Sequence, residues 1–208
     1  MSRVCFAGLL VVGLIIPTFA ADPAPTAAPA QKVAVGEQAP AFKIKDAAGK
    51  IIDLTELTAK GPVLVRLTCG CSGCDKELAY FKEIDAAYKD QGLTSLLIFK
   101  EPDAKVAKYA VDKKLSMLYA VDSKGDSWKV FQTTAMPTNF LIAKGGKISS
   151  IAAGCDPSGL LAKKVSEKAA KVVGVDAVDV QKQVDSKPAE KAPEKAEEKK
   201  PEEKKDKK

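Results

Sequence analysis

A Cys-x-x-Cys pair, Cys71-Ser72-Gly73-Cys74, constrains this chain more than any other feature. The mainly apolar run 62–68 before it is typical of a buried strand, and the run 75–81 after it is typical of a helix. Two cysteines three residues apart at a helix start can close a disulfide within one turn. The first lies near unpaired backbone N–H groups and the positive end of the helix dipole, which favour its thiolate. Because thiolates attack disulfides, peroxides and metals, this context predicts redox chemistry.

Composition narrows the chemistry further. The chain has 208 residues, enough for one ordinary domain with tails, and 46% hydrophobic residues, enough for a core. The net charge of +6 gives little support for a nucleic-acid partner, because much of the lysine and glutamate lies near the C-terminus. The chain has no histidine, which excludes Cys-His and Ser-His catalysis and histidine-ligated metals. Acid–base work is left to Asp, Glu, Lys, Tyr, Cys or water.

The first twenty residues have the pattern of an export signal. Arg3 precedes the apolar run 6–16, and small residues lead to a cleavage site after Ala20. We therefore predict a signal peptide over 1–20, which would remove Cys5, and a periplasmic location. Because the apolar segment is near the lower limit for a spanning helix, an uncleaved anchor holding the protein outside the cytoplasm is the alternative.

Four cysteines would remain after cleavage: Cys69, Cys71, Cys74 and Cys155. An even number in an exported protein allows two disulfides. Export also separates the protein from the cytosolic thiol pool, so a dithiol there needs a dedicated electron donor or acceptor.

The chain divides into an Ala/Pro-rich linker (21–34), a domain (35–175) and a disordered tail rich in Lys, Glu and Pro (181–208). A tether to an anionic surface or cell-wall polymer is the alternative interpretation of the tail. Within the domain we predict an N-terminal hairpin from 42–45 and 51–54, then alternating strands and helices, a second hairpin and a closing helix over 160–173. This order predicts an α/β fold with a central mixed sheet covered on both faces.

Three segments resemble the thioredoxin superfamily, in its TlpA-like and AhpC/TSA (redoxin) branch, over roughly 35–173. Residues 35–42 resemble the start of the family's domain, and residues 71–78 resemble its Cys-x-x-Cys segment. Met136-Pro137-Thr138-Asn139-Phe140-Leu141-Ile142, followed by Gly146-Lys147-Ile148, resembles the hairpin that follows its cis-proline. The resemblance implies a thioredoxin-like fold with a central mixed β-sheet, helices on both faces and an N-terminal β-hairpin.

The resemblance also implies roles for individual residues. Cys71 would be the attacking thiolate and Cys74 the more buried resolving thiol. Pro137 would be a cis-proline against the cysteines, and Met136 would offer backbone groups to an extended substrate. Gly154, at the end of the last strand, is expected at the same edge of the sheet and is predicted to contact substrate.

Asp103 aligns with an acidic residue that TlpA-like proteins place beside their cysteine pair. There it would accept a proton from Cys74. Because it follows Pro102 before a predicted helix, a role in starting that helix is the alternative, and the two roles are compatible.

The motif departs from the family pattern in three places. Gly70 stands where a tryptophan usually precedes the pair, and Ser72-Gly73 replaces a proline-containing dipeptide. Asp75 replaces a basic residue, and its negative charge is expected to raise the thiol pKa values. The redox potential and the direction of electron flow are therefore left open.

Cys69 and Cys155 leave several interpretations open. The topology of the resembled fold brings Cys155 to the edge where the motif lies. Cys69 and Cys155 could form a second disulfide, or Cys155 could resolve a mixed disulfide. All four cysteines, Cys69, Cys71, Cys74 and Cys155, could bind zinc or copper(I). Either extra cysteine could instead be an inert core residue.

The predicted function is an extracytoplasmic thiol–disulfide oxidoreductase without a cofactor. Its expected partners are disulfide-containing exported proteins and a membrane thiol donor, with no nucleic acid. A thiol peroxidase is the first alternative, since Thr68 and Cys71 have the T-x-x-C spacing of peroxiredoxins and Arg66 lies nearby in sequence. A cysteine-ligated metal carrier is the second.

Overall fold

A computed structural model describes residues 32–187. The predicted signal peptide, nearly all of the linker and most of the tail lie outside this range. The strands are β1 (Lys43–Lys45), β2 (Ile51–Asp53), β3 (Val63–Thr68), β4 (Thr94–Phe99), β5 (Leu118–Val121), β6 (Thr138–Ile142) and β7 (Ile148–Ala153). The helices are α1 (Leu54–Lys60), α2 (Ser72–Tyr88), α3 (Asp103–Asp112), α4 (Asp126–Val130), α5 (Leu160–Val173) and α6 (Val180–Ser186). Within residues 32–187, no helix is long and apolar enough to cross a membrane.

The central sheet has five strands in the order β5-β4-β3-β6-β7. Strands β3, β4 and β5 are parallel, whereas β6 runs antiparallel to both β3 and β7. Strands β1 and β2 form a separate antiparallel hairpin. The predicted mixed sheet and N-terminal hairpin are thus confirmed. Two reversals of direction make β7 run the same way as β3, so the residues that follow these strands meet at one edge.

Apolar side chains fill both faces of the sheet. Along β3, Leu64 points to one face while Val63 and Val65 point to the other, as the strand period of two requires. The first face is covered by α2, α5 and α6, whose apolar residues share one buried cluster with Leu64. The second is covered by the N-terminal hairpin and by the region of Trp128 in α4. Helices therefore pack on both faces, as predicted.

Two short helices were not anticipated from the sequence. The Asp53 side chain accepts a hydrogen bond from Thr55 N (2.8 Å) and caps α1. Asp179 accepts one from Lys182 N (3.1 Å) and caps α6 in the same way. Because Val180 is fully buried against α2 and α5, α6 extends the ordered domain into the start of the segment predicted as a disordered tail.

A buried ion pair joins β3 to α2. Arg66 Nη2 lies 2.8 Å from Glu77 Oε2, and the two residues are 2% and 0% exposed. Arg66 Nη1 also donates to Asn139 Oδ1 on β6 (2.8 Å), and its guanidinium lies 4.0 Å from the centre of the Phe81 ring. The other Glu77 oxygen accepts a hydrogen bond from Asp156 N (2.8 Å). The pair thus fixes α2 against the central strand and against the loop after β7.

We predict that Glu77→Gln lowers the free energy of unfolding by about 3 kcal/mol, because it leaves the Arg66 charge buried without a counter-charge. Urea denaturation followed by circular dichroism measures the change. Asp112→Asn is the matched control, since the Lys108–Asp112 pair lies on the exposed side of α3 and should change stability by less than about 0.5 kcal/mol. Equal losses in the two variants would contradict the assigned role of the buried pair.

Candidate active site

The cysteine motif forms the junction between β3 and α2. Strand β3 ends at Thr68, and Cys71 is the N-cap residue of the 17-residue helix α2, with extended backbone angles. Cys71 is exposed, whereas Cys69 and Cys74 are only 8% and 5% exposed. The first-turn N–H groups of a helix lack intrahelical partners, and the dipole is positive at this end. The position therefore favours a thiolate at the one exposed sulfur of the motif.

Three cysteine sulfurs meet at this junction. Cys69 and Cys71 are directly bonded, and their Cα atoms lie 5.3 Å apart. Cys74 is a free thiol whose Sγ lies 3.4 Å from Cys69 Sγ. The three sulfurs all lie within 4.8 Å of one another. The structure therefore brings together the predicted pair Cys71 and Cys74, and it places Cys69 within the same cluster.

Cys155 lies beside this cluster as a free thiol. Its Sγ donates to the carbonyl oxygen of Gly73 in the first turn of α2 (3.0 Å). The topology thus brings Cys155 to the predicted edge, but Cys69 is bonded to Cys71 and not to Cys155 in this structure. A Cys69–Cys155 disulfide stays a prediction for another redox state.

The predicted cis-proline is confirmed, since the Met136–Pro137 peptide bond is cis. Thr138 pairs with Leu67, so this loop lies at the end of β3 where the cysteines follow. Pro137 O accepts a hydrogen bond from Gly154 N (2.9 Å), and Gly154 has a φ of +102°, which a residue without Cβ adopts readily. Substrate contacts by Met136, Pro137 and Gly154 stay predictions.

The negative charge of Asp75 is matched by neighbours on and after α3. Lys113 Nζ lies 2.8 Å from its Oδ2, and the Tyr109 hydroxyl donates to its Oδ1 (2.9 Å). Burial raises the pKa of Tyr109, and the hydrogen bond to Asp75 raises it further, so the phenol stays a donor. The Asp75 carboxylate is therefore paired, and its expected effect on the thiols stays a prediction. The Tyr109 ring also lies beside Gly70, where a Cβ atom would come within 3.4 Å of it.

Asp103 is the first residue of α3 and is exposed. Pro102 is the N-cap residue, so Asp103 supports the helix start through its charge in the first turn and not as a capping side chain. Its role as a proton acceptor for Cys74 stays a prediction.

Glu77 is a carboxylate of this region that the sequence analysis did not single out. It lies one helical turn after Cys74 and is fully buried. Two sequence features could have indicated Glu77: its spacing from Cys74 on one helix face, and the presence of Arg66 in an otherwise apolar strand.

Burial raises the pKa of the Cys155 thiol, and the negative charges of Glu77 and Cys74 raise it further.

We predict that Cys155 reacts with iodoacetamide only at a higher pH than an ordinary thiol, because its raised pKa leaves less thiolate at any given pH. The folded protein holds this proton more tightly than the unfolded chain, so the stability that the thiol contributes declines as pH rises through the ordinary thiol pKa. The measurement is the labelling rate of the tryptic peptide 148–163 as a function of pH. The same chain unfolded in urea is the control. The prediction is refuted if the pH at which labelling reaches half of its maximal rate is equal or lower in the folded protein.

Comparison with known proteins places this site in a family. The AhpC/TSA family model matches residues 35–151. The thiol-disulfide oxidoreductase ResA of Bacillus thuringiensis subsp. konkukian is 32% identical over 119 residues, which are 57% of this chain and 69% of that protein.

Two solved structures share the fold. The thioredoxin domain of a thiol-disulfide oxidoreductase from Bacteroides vulgatus has a TM-score of 0.56 and 25% identity, covering 65% of this chain and 98% of that one. Peroxidoxin BcpB from Mycobacterium tuberculosis also has a TM-score of 0.56, with 18% identity over 69% of this chain and 98% of its own. Because the same fold occurs in differently named proteins, the fold alone does not assign the reaction. The extent of the family match nevertheless establishes that this chain belongs to the AhpC/TSA family, in the redoxin branch of the thioredoxin superfamily.

Proposed function

We propose that this protein is an extracytoplasmic thiol–disulfide oxidoreductase that exchanges disulfides with exported proteins through Cys71. One observation carries the proposal: Cys71 is exposed at the start of α2, with two buried cysteine sulfurs in the same 4.8 Å cluster. An accessible nucleophile with a protected sulfur at hand is the arrangement that two-step disulfide exchange requires. The similarity to ResA supports the same chemistry.

The reaction proceeds through a mixed disulfide. The Cys71 thiolate attacks one sulfur of a substrate disulfide, the substrate S–S bond breaks, and the second substrate sulfur leaves and takes up a proton. A buried cysteine, predicted to be Cys74, then attacks Cys71 Sγ and releases the first substrate sulfur. Two electrons pass from the cluster to the substrate, and the reverse sequence oxidises a substrate dithiol.

The loop around Pro137 is the proposed binding site for the substrate chain. Met136 is half-buried beside the cis-proline, and the Pro137 carbonyl is already held by Gly154 N. The backbone groups of Met136 are therefore proposed to pair with an extended substrate segment, as in strand addition. This contact would place the substrate disulfide at the edge where β3 and β7 end.

The predicted export signal and the proposed reaction together support a choice of partners. A protein that reduces disulfides outside the cytoplasm must itself be reduced again, and the cytosolic thiol pool does not reach it. A membrane thiol donor is the proposed source of electrons, with disulfide-containing exported proteins as substrates. The predicted signal over 1–20 would deliver the protein there, or anchor it there if uncleaved.

We predict that Cys71→Ser abolishes the reduction of insulin disulfides, because it removes the attacking sulfur. In contrast, the double variant Cys69→Ser/Cys74→Ser keeps Cys71 but removes both buried sulfurs near it, so mixed disulfides with substrate should accumulate. Non-reducing electrophoresis measures the trapped species, and turbidity measures insulin reduction.

Cys155 provides the control for that experiment. Adding Cys71→Ser to the double variant should eliminate the trapped species, whereas adding Cys155→Ser should leave it in place. Trapping that depends on Cys155 and not on Cys71 would overturn the assignment of the nucleophile.

The peroxidase alternative finds less support in the geometry. Peroxiredoxin-type chemistry needs a threonine and an arginine at the attacking sulfur. The Thr68 hydroxyl donates to the carbonyl of Cys69 (3.4 Å), and the Arg66 guanidinium is held by Glu77 and Asn139. Peroxidase activity stays a prediction from the T-x-x-C spacing.

Binding of a soft metal is a second candidate function, favoured by the three sulfurs of Cys69, Cys71 and Cys74 within 4.8 Å. Thiolates prefer copper(I) and zinc, and three of them are a suitable set for copper(I) once the Cys69–Cys71 bond is reduced. Cys155 adjoins the cluster through Gly73 and is the proposed fourth ligand if zinc is bound.

We predict that the reduced protein retains close to one equivalent of copper(I) after desalting, because three clustered thiolates bind soft metals tightly. Elemental analysis after purification under reducing, metal-replete conditions gives the stoichiometry. Cys69→Ser should lower it, since one of the three ligands is lost. Less than about a tenth of an equivalent in the wild-type protein would exclude the metal function.

A further inference from the structure

Cys69 occupies a position that neither the family motif nor a simple Cys-x-x-Cys mechanism explains. It is the first residue after β3, is buried, and is bonded to the exposed Cys71. Its sulfur also lies 3.4 Å from the free thiol of Cys74. Cys69 thus contacts both members of the Cys71–Cys74 pair.

We propose that Cys69 is a third redox-active cysteine, and that the oxidised cluster exchanges between a Cys69–Cys71 and a Cys69–Cys74 disulfide. This inference deepens the proposed function and depends on it for its biological use, but the exchange itself requires no substrate. Cys69 would be the sulfur common to both disulfides, and Cys71 and Cys74 would alternate as its partner.

The exchange balances without any external oxidant or reductant. The Cys74 thiol loses its proton to solvent, and its thiolate attacks Cys69 Sγ. The Cys69–Cys71 bond breaks, a Cys69–Cys74 bond forms, and Cys71 leaves as a thiolate that takes up a proton. One S–S bond is replaced by another, so the protein as a whole stays oxidised by two electrons.

The environment of the three sulfurs favours conversion of the Cys69–Cys71 disulfide to the Cys69–Cys74 disulfide. Cys71 is the leaving sulfur, and its thiolate is stabilised at the N-terminus of α2. The product disulfide joins the two buried cysteines, which solvent reductants reach least. The 5.3 Å Cα separation of Cys69 and Cys71 lies in the range that a disulfide spans. The sulfurs of Cys69 and Cys74 lie 3.4 Å apart, so both pairings join sulfurs that are already close together.

The consequence is an oxidised protein with a free surface nucleophile. In the Cys69–Cys74 form, Cys71 is exposed and can attack a substrate disulfide even though the cluster holds an oxidising equivalent. A protein limited to a Cys71–Cys74 disulfide has no free Cys71 when oxidised. The extra cysteine would therefore let the oxidised protein rearrange substrate disulfides as well as accept electrons.

Differential alkylation of the oxidised wild-type protein tests the exchange. The native protein is treated with iodoacetamide, unfolded and reduced, then treated with N-ethylmaleimide. Cleavage after Arg66 and Lys76 places all three cysteines on peptide 67–76, and fragmentation shows which of them carries the first label. We expect the first label on Cys71, because alkylation of the exposed sulfur traps the Cys69–Cys74 form.

Every other outcome overturns the proposal. A first label on Cys74 means that the Cys69–Cys71 bond is static, and a label on none of the three means that the oxidised cluster does not release Cys71 at the surface. A first label on Cys69 means that the Cys71–Cys74 disulfide formed in the proposed reaction is the final oxidised form and that Cys69 takes no part in exchange. The fully reduced protein, treated at the same pH, shows that the reagent was active, and Cys155 lies on the separate peptide 148–163, so its label is not confused with those of the cluster.

Two variants distinguish disulfide exchange from labelling of Cys71 that depends only on its exposure. Cys74→Ser removes the attacking thiol and should lower first labelling of Cys71 by about tenfold or more, because the Cys69–Cys71 bond then persists. Cys71→Ser should still oxidise to a Cys69–Cys74 disulfide, seen as the loss of two hydrogens within the unreduced tryptic peptide 67–76. Because no substrate is present, exchange that occurs in a protein unable to reduce insulin would uphold this inference while refuting the proposed function.

Discussion

The buried ion pair between Arg66 and Glu77 is the contact on which the geometry of the site depends. It joins the central strand to α2 in a place where neither charge reaches water. Each charge alone would be costly to bury, so the two hold each other and their remaining hydrogen-bonding groups in place. Arg66 also reaches Asn139 on β6, and Glu77 accepts from Asp156 N in the loop after β7. The segments that carry Cys71, Pro137 and Cys155 are therefore all held near this ion pair.

The Arg66–Glu77 pair explains why the clustered cysteines differ in exposure. Glu77 holds the first turns of α2 against β3, so that of the three clustered cysteines Cys69 and Cys74 lie in the interior and the N-cap residue Cys71 lies at the surface. The helix dipole favours a thiolate there, and the carboxylate of the nearby Asp75 is bound by Lys113 and Tyr109. Accessibility and the helix dipole thus both support the attacking role proposed for Cys71. Cys155 is also exposed, but the desolvation of its sulfur and the charge of Glu77 raise its pKa.

Much of this structure could be predicted from local sequence patterns. The strand–motif–helix junction follows from apolar runs and helical spacing, whereas the cis-proline follows from the resemblance of residues 136–148 to the family's hairpin segment. The short helices α1 and α6 were missed because their seven residues carry little periodic signal, and α6 lies where the composition becomes charged. The Arg66–Glu77 pair and the Cys69–Cys71 bond depend on contacts between elements, so a single sequence does not reveal them. Asp103 lies exposed at the start of α3, where its role as a proton acceptor stays a prediction.

The central claim is that Cys71 is the sulfur that bonds to substrate and that the buried sulfurs resolve the resulting mixed disulfide. The most direct measurement is to map, by mass spectrometry, the covalent intermediate formed between the reduced protein and a peptide that contains a single disulfide. The account predicts that the peptide is joined to Cys71 and that the intermediate decays as an internal disulfide forms among residues of peptide 67–76. A peptide joined mainly to Cys155, or to a buried cysteine, would contradict it.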